Sequence, residues 1–203
     1  MYITSVNIGK IIRGENQVTY LVQVDNGIEG KPAPAPEDCA FGSYVKIITS
    51  DAPSRALIGL VIDSALIDRD SLRAGPRLAP DFESMNVLFP DFVDERIKVV
   101  RTFLVGSIEG KAISHDFPGV TPKLGDVVVK MTDAEIKGFH LVGGQFKVGY
   151  YSQAMQIHSP FTMPLMIRVF NRLGKLFPDQ VELLALLRTN LEYALKLQGG
   201  FSR

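Results

Sequence analysis

The sequence predicts a mainly β protein, a small antiparallel β-barrel followed by a C-terminal α-helical hairpin. Three observations carry that reading. About six short β-branched and aromatic runs are separated by Gly, Pro, Asn and Asp within residues 1–130. No helical periodicity intervenes to make a βαβ unit. After residue 158 the pattern changes to long amphipathic stretches closed by Gly and Pro.

Residues 3–12 and 17–24 flank Arg13-Gly-Glu-Asn16 and read as a hairpin, and Asp25-Asn-Gly27 ends its second strand with residues that tolerate turn conformations. Lys31-Pro-Ala-Pro-Ala-Pro36 cannot be a central strand, because alternate residues lack an N–H. Further strands fall at 44–49, 56–67, 97–108 and 127–130. Between them, 68–94 is a long loop rich in proline and carboxylates, of the kind that is functional or mobile in compact domains. Residues 131–158 read as linking strands and turns, with Gly143-Gly144 as a tight turn.

Residues 159–203 form the hairpin. Ser159 or Thr162 caps a helix that carries Leu165, Met166, Val169, Phe170 and Leu173 on one side, and Gly174 stops it. Pro178 opens a second helix that runs to about Gln198. Its polar residues Glu182, Arg188, Thr189, Glu192 and Lys196 cluster, and leucines fill the rest of the circumference. One neighbouring helix does not cover so wide a face, so Leu184, Leu187, Leu191 and Leu195 are the interface candidates.

The 203 residues include 22 Lys plus Arg and 22 Asp plus Glu, so no global basic field drives nucleic-acid binding. One cysteine, Cys39, excludes an internal disulfide, no apolar run reaches membrane-spanning length, and the start at Met1 lacks a signal pattern. A cytoplasmic location and no membrane association are the expectations.

The chemical motifs dissolve on inspection. Gly106-Ser-Ile-Glu-Gly-Lys-Ala112 is one residue short of a phosphate loop and has Ala112 in place of the hydroxyl residue, so a strand-ending turn is expected. Ser114-His115-Asp116 names a hydrolase triad, but consecutive side chains diverge, and His115 reads as a solvated loop histidine. His140 and His158 lack carboxylates at ligand spacing, and Cys39 lacks a neighbouring cation; no metal, cofactor or catalytic residue is assigned. Arg69, Arg73 and Arg77 recur every four residues but alternate with Asp68 and Asp70, which favours self-pairing or a protein interface over phosphate. Arg168 and Arg172, with Lys175 nearby and Tyr150-Tyr151 upstream, form a weak nucleic-acid candidate. Arg101, His115 and Asp116 could line a barrel mouth that takes a phosphate-bearing ligand.

Val6-Asn-Ile-Gly-Lys-Ile-Ile12, Phe41-Gly-Ser-Tyr-Val-Lys-Ile-Ile48 and Leu57-Ile-Gly-Leu-Val-Ile-Asp63 together resemble the N-terminal HAS barrel of HerA-type DNA-translocating ATPases. Val99-Val-Arg-Thr-Phe-Leu-Val-Gly106, His115-Asp-Phe-Pro-Gly-Val-Thr-Pro122 and Leu124-Gly-Asp-Val-Val128 are similar to the closing strands of that module. The resemblance covers roughly residues 3–130 and implies ring assembly or docking of partners such as a nuclease. It does not carry ATP hydrolysis over, because no phosphate loop follows the barrel. Three functions stay open. The favoured one is a noncatalytic module that self-associates or docks a HerA-type ATPase or nuclease. The others are a small-molecule-binding or enzymatic barrel, and a weak nucleic-acid binder.

Overall fold

A computed structural model describes residues 5–27, 32–68, 96–156 and 159–200, excepting the side chains of Asp68, Arg96 and 198–200. Arg69, Arg73 and Arg77, nearly all of the 68–94 loop, and His158 lie outside the described residues.

The fold is mainly β with a closed six-stranded antiparallel barrel and a C-terminal helical region. Strands β1 (Asn7–Gly14), β2 (Thr19–Val24), β3 (Tyr44–Ile48), β4 (Arg55–Asp68), β5 (Arg96–Glu109), β6 (Ala112–Ser114) and β7 (Val127–Lys130) share one sheet. Its order, β2-β1-β7-β3-β4-β5, closes through β2–β5, where Thr19 faces Phe103 and Gln23 faces Val99. Short β6 continues from β5 outside the ring, through the turn at Gly110 and Lys111. The segment that imitates a phosphate loop is therefore a hairpin.

Closing so small a barrel requires strands to bend sharply, and bulges beside glycines provide this. The β1–β7 register shifts between Asn7 and Gly9, where an added Cβ would lie 1.8 Å from the Gln23 carbonyl oxygen. At Gly106 a Cβ would meet the Ser114 carbonyl oxygen at 2.2 Å.

Side-chain alternation sends two apolar sets in opposite directions. Ile8, Ile11, Val22, Val45, Ile47, Leu57, Val100, Leu104 and Val128 fill the barrel. Tyr44, Ile58, Leu60, Phe103 and Val105 leave the outer wall and meet the helices in a second core. The β3–β4–β5 wall is thus buried on both faces, which explains near-continuous apolar runs such as Leu57–Ile62.

Residues 131–158 differ from the expected linking strands. Helix α1 (Asp133–His140) opens on a capping box, in which Thr132 and Glu135 satisfy each other's backbone N–H. A minimal hairpin of β8 (Leu141–Val142) and β9 (Gln145–Phe146) and a short α2 (Tyr151–Met155) follow. Helices α3 (Thr162–Leu176) and α4 (Val181–Gly200) form the expected hairpin. Gly174 does not end α3; the helix continues to Leu176 and leaves the helical region at Phe177, φ −124 and ψ 78. Pro178 is the physical cause, because its ring disfavours helical geometry in the residue before it.

Candidate functional site

The polar centre of the molecule lies where the barrel meets the helices. Tyr44 begins β3, His140 ends α1 and Tyr150 precedes α2, and all three are fully buried. The Nδ1–H of His140 donates to the Ile136 carbonyl at 2.8 Å, which leaves Nε2 as an acceptor. The Tyr150 hydroxyl donates to it at 2.9 Å, and the Tyr44 hydroxyl lies 2.5 Å from Tyr150 Oη and 3.3 Å from Nε2. Burial holds His140 down to about 4, with the Ile136 carbonyl opposing that and nearby His115 adding to it. Burial raises both tyrosine hydroxyls well above the phenol range.

His115 corrects the sequence expectation, since it is buried and not a solvated loop histidine. Gly149 N–H donates to its Nδ1 at 3.0 Å and its Nε2–H donates to the Phe139 carbonyl at 2.9 Å. Two backbone partners pull the ring inward, and burial lowers its pKa. Ser114 and Asp116 bond each other at 3.2 Å instead of the imidazole, so the consecutive residues make no relay. The two imidazoles lie 5.8 Å apart between centroids, yet all four ring nitrogens are already engaged. Among the described residues no three His, Cys, Asp or Glu side chains gather at metal-binding distance.

Two of the sequence-predicted cations, Arg101 and Arg172, are closed by carboxylates. Arg101 grips Glu15 through Nε at 2.7 Å and Nη2 at 3.0 Å, and Asp63 through Nη1 at 2.8 Å. Its partners are separate from those of His115, which bonds Phe139 and Gly149. Arg172 pairs with Asp133 at 3.2 Å and lies 6.0 Å from the Tyr44 ring centroid, while Arg168 is exposed beside Gly42. Lys46 meets Glu135 at 2.5 Å; burial alone would raise that carboxyl, and the Lys46 and Thr132 hydrogen bonds override it and lower it.

Among the described residues, two apolar surfaces involve the C-terminal helices. An open groove of about 320 Å³ runs between β4 and the start of α3, lined by Cys39, Phe41, Val61, Ile62, Phe161 and Pro164. The larger feature is on α4. The predicted interface stripe is intramolecular core here: Leu184 and Leu191 are only 2% and 3% exposed, and Leu187 packs beside them against the helical core, with Leu195 half-buried. The physical reason is the short connection at Pro178, which folds α4 back on α3 and seals that stripe. Leu183, Leu186, Tyr193 and Leu197 point the other way and are 48%, 60%, 65% and 47% exposed. Sequence reasoning missed them because it treated the wide leucine face as one surface; spacings of three and four residues were the available signal.

No helix among the described residues is long and apolar enough to cross a membrane. No curated protein matches the chain. A family model described as a domain of unknown function, DUF8166, matches residues 2–201. That match spans nearly the entire sequence, barrel and helices together, and the chain belongs to this family.

Proposed function

We propose that this protein is a noncatalytic barrel module that works by assembly or docking, with the outer face of α4 as its contact surface. The observation that carries the reading is a helix with two apolar sides. Leu184 and Leu191 attach it to its own chain, and Leu183, Leu186, Tyr193 and Leu197 face outward with no covering element among the described residues. Four large apolar side chains on one face of a single helix are expensive to leave in water unless a partner covers them. Arg101 and both described histidines are committed to internal partners, so these candidates of the ligand-binding alternative offer no unengaged group. A cytoplasmic setting belongs to the proposal and suits a lone buried thiol. The HAS-barrel resemblance makes a HerA-type ATPase or its nuclease the first foreign partner to test, beside a second copy of the chain.

The test is a photo-crosslinking amino acid at position 186, compared with one at Leu124, an equally apolar exposed position on the barrel. A discrete adduct with the chain itself or with such an ATPase or nuclease, formed only from position 186 and reproduced with purified proteins, is the expected result. No discrete adduct, or the same adducts from both positions, overturns the reading.

A further inference from the structure

We infer that the partner is a second copy of this chain, paired through α4 in an antiparallel, two-fold arrangement; this rests on the docking reading above and names its occupant. Leu183, Leu186, Asn190, Tyr193 and Leu197 follow one another at intervals of three, four, three and four residues. That is the a and d spacing of a heptad, which makes a narrow seam suited to another helix lying along it. The stripe is distinct from the one that holds α4 to α3, because Leu184 and Leu191 sit one position further round in each heptad and are buried. Pairing along 183–197 therefore requires no unfolding of the hairpin.

Charge selects the orientation. Glu182, Thr189 and Lys196 recur every seven residues and occupy one flank of the seam. In an antiparallel pair this flank faces itself, so Glu182 of each copy lies beside Lys196 of the other, with Thr189 between. In a parallel pair the same flank faces the opposite one, where Leu187 and Ala194 stand, and neither charge gains a partner. Among the described residues Glu182 and Lys196 have no ion-pair partner, whereas Arg188 on the far side is already bound to Glu192 at 3.4 Å. The opposite flank adds Leu187 and Ala194, both half-buried, to the apolar strip.

Size sets the strength. Four half-exposed large side chains offer roughly 400 Å² per copy, about 800 Å² in the pair, below the size of stable specific interfaces and in the range of transient ones, so the dimer should be weak, with a Kd in the micromolar range.

Sedimentation of the full chain should show reversible dimerisation near about 10 μM. Glu182→Lys and Lys196→Glu should each weaken it about threefold to tenfold, through like-charge contact at two symmetric places, and an equimolar mixture of the two variants should restore it. These are exposed charge changes that leave the folded monomer intact. In a Cys39→Ser background, chains carrying Glu182→Cys should form disulfides with chains carrying Lys196→Cys in preference to like-with-like. A chain that stays monomeric to about 100 μM overturns the inference. So do a preference for like-with-like disulfides and charge variants that are not rescued by mixing. If the chain is monomeric while position 186 still crosslinks to an ATPase or nuclease, the docking reading stands and only the second copy falls; if neither forms, both fall.

Discussion

Acidification should loosen the joint between barrel and helices through His140. The imidazole is neutral in the fold, fixed by the Ile136 carbonyl on one side and the Tyr150 hydroxyl on the other, with no carboxylate to balance a charge. Protonating Nε2 would turn an acceptor into a donor aimed at a hydroxyl that is already donating. In the unfolded chain the same group titrates near about 6.5, whereas burial in the fold holds it at about 4. The sign follows from which state takes up the proton: below the unfolded value the unfolded chain binds it and the folded chain does not. The stabilisation is therefore complete above pH 6.5 and is lost as pH falls toward 4. The linkage relation gives a loss of about 2 kcal/mol between pH 8 and 5, and about 3 kcal/mol by pH 4. His115, also lowered by burial, adds in the same direction. Glu135 and Asp38 are both held below their usual values, so their losses enter chiefly at the acid end of this window and beneath it. Urea unfolding at a series of pH values, read by far-ultraviolet circular dichroism, measures the slope directly. His140→Gln, which cannot titrate, should be less stable at pH 8 but should lose distinctly less on going to pH 5. A wild-type stability that is flat from pH 7 to 5, or an unchanged slope in His140→Gln, would refute the reasoning.

Three further outcomes follow from the same geometry. Tyr150→Phe removes the hydroxyl that bonds both Tyr44 and His140 and should cost about 2–3 kcal/mol, against about 1 kcal/mol for Tyr44→Phe, which leaves the Tyr150–His140 bond in place; denaturant midpoints rank them. Gly9→Ala must displace the Gln23 carbonyl lying 1.8 Å from the new Cβ and should cost more than about 3 kcal/mol, whereas Gly110→Ala meets nothing within 4 Å and should cost only about 1 kcal/mol for its φ of +58; equal melting temperatures would contradict the close approach at Gly9. Leu191→Asp places a carboxylate in the α3–α4 core and should unfold the helical region or lower stability by about 4 kcal/mol, while Leu186→Asp should leave circular dichroism and melting temperature nearly unchanged.

The barrel strands were legible because each is a local run of β-branched residues bounded by turn formers, and local runs survive any tertiary context. Val127–Lys130 is the same four residues in sequence and structure. Helix α1 was missed because eight residues give barely two turns of periodicity; only Thr132 and Glu135, spaced as a capping box, mark it. The end of α3 shows two local signals in competition. Gly174 permits a stop, but Pro178 imposes one, and the helix runs until the residue that the proline constrains. The polar joint could not be read at all, since Tyr44 and His140 are 96 residues apart and meet only after β3 has closed into the barrel. His115 shows the same limit from the other side. Its neighbours Ser114 and Asp116 are polar, as in a solvated loop, yet the partners that bury it, Phe139 and Gly149, arrive from later elements.

The excess of leucine on α4 has its explanation in that joint. Composition alone presents a broad apolar face and leaves undecided whether it is core or contact. Once His140 and Tyr150 anchor α1 and α2 to the barrel wall, α3 packs over them and the Pro178 turn directs α4 along α3. Geometry then divides the face by angle. At about 100° per residue, Leu184 and Leu191 fall on the line toward α3, and Leu183, Leu186, Tyr193 and Leu197 fall on a line well over a quarter-turn away. A helix required only for the core needs the first line. The second line repeats at heptad spacing, carries opposite charges on one flank at its two ends, and includes one asparagine. Core packing requires neither the heptad spacing nor the paired charges, and the proposed helix pair uses both. On the proposed pairing the same residue type does two separate jobs on one helix: Leu191→Asp should damage the fold, whereas Leu186→Asp should leave the fold intact and lower self-association.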